Sequence, residues 1–294
     1  PVFLSDSSDT HLVFQNYWHW KSNIEEVFCV LRIRDFAGKN ISSSRVNIQN
    51  HNEIYLSDFV NRKEFKGGTV EIEIISPENL AFSFPAISAF YISKNQRSVV
   101  HSAGRILNAN EVFGNKKWKE SNFLAKFEDN FSPYICLFFG QLASKKTQLK
   151  IEIRNFKENR SMINKEIDID TNPFGSKVIY IKDLLTNTEI NRLKDIKAFI
   201  IFEVDIVGIF GRFVVGNFDK ISGHHFTTHS FQYIDKKSSD IIKSDSKNEC
   251  TTFLPIYNQK PLNLSLVSFP TNAEKLVKFN VSKADIDQNL RESR

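Results

Sequence analysis

The stretch SGHHFTTHSF, from Ser222 to Phe231, holds three of the chain's seven histidines within six residues. Imidazoles packed this closely suggest a metal centre or an acid/base pair. A helix would put His225 and His229 on one face, as in the zincin motif. That motif also needs a glutamate after the first histidine, and Phe226 stands there. Gly223 and the threonines Thr227 and Thr228 favour a strand instead. On a strand His224 and His225 point to opposite faces. His225 and His229 share a face but lie roughly 13 Å apart. Zinc–nitrogen bonds are about 2 Å long, so one ion cannot join them. No metal site is expected from this stretch alone.

Self-similarity brings a different residue forward. His229-Ser230 follows RFVVGN, and His101-Ser102 follows AFYISKN. If two copies of one unit pack together, His101 and His229 meet at their junction. There they would serve as general acid and base, with Arg212 holding an anionic group. The plainer alternative is that each His-Ser pair hydrogen-bonds a neighbouring loop. Asn217 and His225 are the polar candidates for ligand binding nearby, although Asn217 and Asp219 also suit a turn. A second cluster, FQNYWHWK, concentrates Tyr17, Trp18 and Trp20. Exposed rings of this kind stack on sugars, while buried ones fill cores and interfaces.

Other matches recur in the same order. VLRIRDF at Val30–Phe36 resembles KIEIRNF at Lys150–Phe156, and IYLSDF at Ile54–Phe59 resembles IYIKDL at Ile179–Leu184. A fainter echo is NLSLVSF at Asn263–Phe269. Arg34 and Arg154 occupy equivalent places, and each needs a carboxylate or carbonyl partner if buried. The expected organisation is a first unit over 1–122, a second over 123–240 and a partial or degenerate third over 241–294. NANEVFGNKKWKESN (Asn108–Asn122) and the polar stretch Asp235–Cys250 are the expected connectors.

The elements that would position these residues are mostly strands. TVEIEII (Thr69–Ile75) and KEIDID (Lys165–Asp170) alternate with a period of two, as half-buried strands do. PYICLFFG and AFIIFEVDIVGIFG are unbroken apolar runs, expected of strands buried on both faces. SFPAISAFYIS (Ser83–Ser93) contains Pro85 and predicts an edge strand or bulge. Helical spacing is confined to short stretches, chiefly Asp183–Asp195, and Ser282 begins a capping-box pattern. The expected fold is all-β, with tandem β-sandwich-like repeats and few short helices.

Composition narrows the function. The chain has 27 phenylalanines against one methionine, a bias that suits sheet cores. Net charge is only +5, from 39 basic and 34 acidic residues, and no nucleic-acid-binding signature occurs. Nucleic acid is therefore not an expected partner. Cys29 and Cys136 sit in apolar runs, and three scattered cysteines make no disulfide framework. No segment approaches the ~18 apolar residues of a membrane helix. The cytoplasm is the expected compartment, secretion with a removed signal being the other reading. Dinucleotide and phosphate-loop motifs are absent, as is a nucleophile elbow, so no cofactor is expected. The leading expectation is a non-enzymatic protein with a binding or structural role and a carbohydrate or protein partner. The alternative is a hydrolytic or sugar-modifying enzyme with a histidine site at the junction.

Overall fold

The period-two alternation of the sequence becomes the pleat of four antiparallel sheets. The computed structural model describes residues 1–78, 80, 87–94, 96–101, 115–155, 158, 160–207 and 213–232. Up to residue 101 the chain forms β1 (Ser8–Gln15), helix α1 (Tyr17–Ser22), β2 (Phe28–Asp35), β3 (Asn40–Asn47), β4 (His51–Tyr55), β5 (Gly68–Ile75), β6 (Ser88–Ser93) and β7 (Gln96–His101). From residue 115 it forms β8 (Asn115–Ala125), β9 (Phe131–Phe138), β10 (Ser144–Asn155), β11 (Arg160–Thr171), β12 (Ser176–Tyr180), helix α2 (Asn187–Leu193), β13 (Ala198–Val207), β14 (Val214–Asp219), β15 (His224–His229) and β16 (Phe231–Gln232). The fold is all-β, with only these two short helices among the described residues. Residues Pro1–Tyr233 form one compact unit. The expected partial third unit and the connector at 235–250 lie outside the described residues.

The first pair of sheets runs β3-β2-β5 and β4-β1-β6-β7; the second runs β11-β10-β13-β8-β16 and β12-β9-β14-β15. With β8 and β16 set aside, the two orders correspond strand for strand. The Ile-Arg-Asp/Asn frame sits on β2 and on β10. Tyr55 and Tyr180 each precede a 3-10 turn, Leu56–Asp58 and Ile181–Leu184 respectively, whose first residue is buried. Helix α2 opens with a complete capping box, Thr186 and Glu189 each satisfying the other's backbone N–H.

Each pair of sheets encloses its own core. Leu12, Phe14, Cys29, Leu31, Ile33 and Ile54 fill the first, and Ile135, Leu137, Leu149, Ile151, Ile200 and Phe202 are in the second. A third core joins the halves, where Phe3, Tyr91 and Val100 meet Tyr134 and Cys136. Strand β9 is thus buried on both faces, which is why its sequence is an unbroken apolar run. Tyr134 crosses β14 at Gly216, where any Cβ would overlap its hydroxyl and the Phe226 carbonyl. A further contact between the halves sets Arg34 over the ring of Phe174, 4.2 Å from its centroid.

Two local expectations change. The second part of the expected connector at 108–122 is β8, paired with β13. Lys117 and Lys119 lie 2.7 Å and 3.8 Å from Glu203 across the strands, so a polar stretch still makes a long strand. Residue 122, the expected end of the first unit, lies inside β8. Strand β6 is an inner strand, bonded to β1 and β7 on its two sides. Pro85 lies outside the described residues.

Candidate functional site

The histidine stretch is a strand, as its glycine and threonines imply. β15 forms one edge of its sheet, bonded to β14 alone by a backbone ladder. Its outer side faces β7. There the Ser98 hydroxyl donates to the His225 carbonyl (2.8 Å) and accepts from the Thr227 N–H (3.1 Å). One side chain of the first half therefore satisfies the open edge of the second.

The three imidazoles have separate environments. His224 is 1 % exposed, and its Nδ1 lies 2.7 Å from the Ser93 hydroxyl. Its Nε2 has no partner, and burial lowers its pKa. His225 stacks on Phe3, with ring centroids 3.8 Å apart and planes within 3° of parallel, and leans on Phe218 at 4.6 Å. Burial, with a lesser effect from His224, pushes its pKa down to about 3. Its Nε2 lies 3.0 Å from the Tyr180 hydroxyl, and burial pushes that phenol up to about 12. Near neutral pH Tyr180 keeps its proton, so its O–H donates and His225 Nε2 accepts. His229 donates from Nδ1 to the Ser230 carbonyl at 2.9 Å.

His225 and Tyr180 line an open groove of about 590 Å³. Phe3, Phe36, Val178 and Phe218 supply apolar walls, and Lys66 and Lys177 also line it. The arrangement supplies a neutral imidazole and a protonated phenol among rings, which suits holding a ligand more than moving protons.

The structure brings His101 and His229 together, their ring centroids 5.1 Å apart, edge to face. Each is the last residue of its strand and pairs with the first residue of the strand before, Ser88 and Val214 respectively. Arg212 and Ser102 lie outside the described residues. Asn217 is buried on the opposite face of its sheet from His225. Its Oδ1 accepts from the Lys126 N–H at 2.8 Å, anchoring the loop after β8. Asp219 accepts from the Ile221 N–H and the Ser222 hydroxyl, which is turn chemistry. Arg34 pairs with Glu71 and Arg154 with Glu152, as ion pairs within each half.

The aromatic cluster divides. Trp18 is 2 % exposed and belongs to the first core, so burial removes it from any sugar platform. Trp20 is 68 % exposed, set edge-on to Tyr17 at 5.4 Å, with the Lys21 ammonium over both rings. Helical geometry explains the split: two residues apart on α1 is about 200° around the axis. Burial pushes the Cys136 thiol up to about 12, leaving it no thiolate for nucleophilic attack near neutral pH. No group of three or more metal-binding side chains occurs among the described residues.

The sequence reading missed Phe3, Ser98, Tyr180 and Phe218. Only Tyr180 carried a signal, as the counterpart of Tyr55 in the IYLSDF and IYIKDL match. No helix among the described residues is long and apolar enough to cross a membrane. No protein-family model matches the chain, and no curated protein matches it. Among solved structures, the chain is similar to the serine-rich repeat protein Srr2 of Streptococcus agalactiae at 9 % identity, over 83 % of this chain and 86 % of that one, with a TM-score of 0.20. A likeness that slight carries no argument, and the residues themselves have to carry the functional reading.

Proposed function

We propose that this chain is a non-catalytic β module that binds a carbohydrate or protein partner through the surface of Tyr17 and Trp20. The observation that carries the reading is Trp20, an indole 68 % exposed beside a second ring and under a lysine. An indole with a free face stacks on the C–H face of a sugar or anchors a protein contact. Two of the histidines are engaged in structural contacts, His224 with Ser93 and His225 with Tyr180. The module is read as two copies of one unit, over 1–122 and 123–240, with 241–294 a partial or degenerate third. The cytoplasm is the compartment we assign to it, in keeping with the free, buried Cys29 and Cys136.

The test is a glycan array followed by calorimetry with the best binder, using the wild type and Trp20→Ala. The reading expects at least a tenfold loss of affinity with an unchanged melting temperature. Binding that survives Trp20→Ala, or the absence of any saccharide or protein ligand lost with it, refutes the Tyr17–Trp20 surface.

One observation favours a second reading. The His101 and His229 rings meet at the junction of the halves, where an acid/base pair of a hydrolytic or sugar-modifying enzyme would sit. A panel of chromogenic glycosides and esters decides between the two. The enzyme reading requires a turnover that His101→Gln and His229→Gln each abolish, and the binding reading requires none.

A further inference from the structure

We infer that the groove beside Tyr180 and His225 is a binding site for a small molecule with an aromatic body and one anionic head. This goes beyond the Tyr17–Trp20 reading and does not rest on it, because it concerns a different set of residues.

Size, wall chemistry and charge point the same way. At about 590 Å³ the groove falls within the range of small-molecule sites. Phe3, Phe36, Tyr180, Phe218 and His225 bring five rings to its lining, and such rings receive a flat apolar body by offset or edge-on stacking. Phe36 is 37 % exposed, an aromatic surface left open at the groove.

The charges select the head. Lys66 and Lys177 line the groove, Lys177 from the Ile179 side of β12, and neither is in an ion pair with any described carboxylate. Lys66 makes only a long contact, 3.5 Å, to the Lys63 carbonyl. The neutral His225 adds no second charge, and its Nε2 is already occupied by Tyr180. The recognised chemistry is therefore one carboxylate on a ring system, not a phosphate-dense ligand.

The full chain is titrated with 2-naphthoate at pH 7 by calorimetry and by amide chemical shifts. 2-Naphthol serves as the uncharged counterpart. We expect saturable naphthoate binding, with shifts centred on β12 and Phe218. Lys66→Glu/Lys177→Glu should weaken it at least tenfold and leave 2-naphthol binding unchanged. If the charge reversal lowers the melting temperature, Lys66→Gln/Lys177→Gln takes its place, with the expected weakening threefold or more. The inference is overturned if no saturable binding occurs up to millimolar naphthoate. It is equally overturned if the lysine variants bind as the wild type does, or if the shifts centre away from β12. Loss of the Trp20-dependent ligand leaves this result untouched, and the reverse also holds, so the two proposals fail separately.

Discussion

Acidification should destabilise this protein through His225, and the size of the effect follows from the structure. In the unfolded chain an imidazole takes up its proton near the ordinary value of 6.5; in the fold His225 does so only near 3. Between those values the unfolded state binds more protons than the folded one. Stability therefore falls as pH falls through that window. The effect is absent above about 6.5 and complete by about 3. From pH 7.5 to pH 5 it amounts to about 2 kcal/mol, at ~1.4 kcal/mol per pH unit. With a urea slope of roughly 2–3 kcal/mol/M, that is a midpoint shift of roughly 0.7–1 M. His225→Phe keeps a ring between Phe3 and Phe218 but cannot take a proton. Urea melts of both proteins at pH 7.5 and pH 5 isolate the residue, because His224 and all other groups remain in both. The wild type should lose about 2 kcal/mol more than the variant over that interval. NMR of the His225 ring should find it neutral at pH 5. Equal pH dependence in the two proteins would refute the reasoning, since it would mean that His225 protonates in the fold as easily as in the unfolded chain.

Two more perturbations address the junction of the halves. Ser98→Ala removes two hydrogen bonds to β15 and should cost about 1–2 kcal/mol in urea denaturation; the His225 carbonyl keeps its bond from Thr227, so a larger loss would count against this account. Phe3→Ala removes a 9 % exposed ring from the joining core and should cost about 3–4 kcal/mol. It should also raise the pKa of His225 by letting water to the ring, a change that NMR titration would detect.

Much of the architecture was legible because strands announce themselves by period. Val70, Ile72 and Ile74 do pack on the first core, and the unbroken run of β9 does mark a strand covered on both sides. The histidine stretch was readable for the same reason, since Gly223 and two threonines outweighed the helical spacing of His225 and His229. Strand β8 was hidden because the strand it pairs with, β13, lies far along the sequence. Trp18 and Trp20 looked alike because the aromatic cluster carries no sign of which side of α1 faces the core. The surroundings of His225 were beyond reach for a deeper reason. Phe3, Tyr180 and Phe218 come from three separate parts of the chain, and only packing makes them neighbours.

The joining core has a consequence for how the chain is made. Phe3, Tyr91 and Val100 leave the ribosome well before Tyr134, Tyr180 and Phe218, which cover them. At ~5–20 residues per second that interval is on the order of ten seconds. Throughout it the first half carries an uncovered aromatic patch and an uncommitted Ser98, so a chain stalled after His101 should be more prone to aggregate than one in which β15 has emerged.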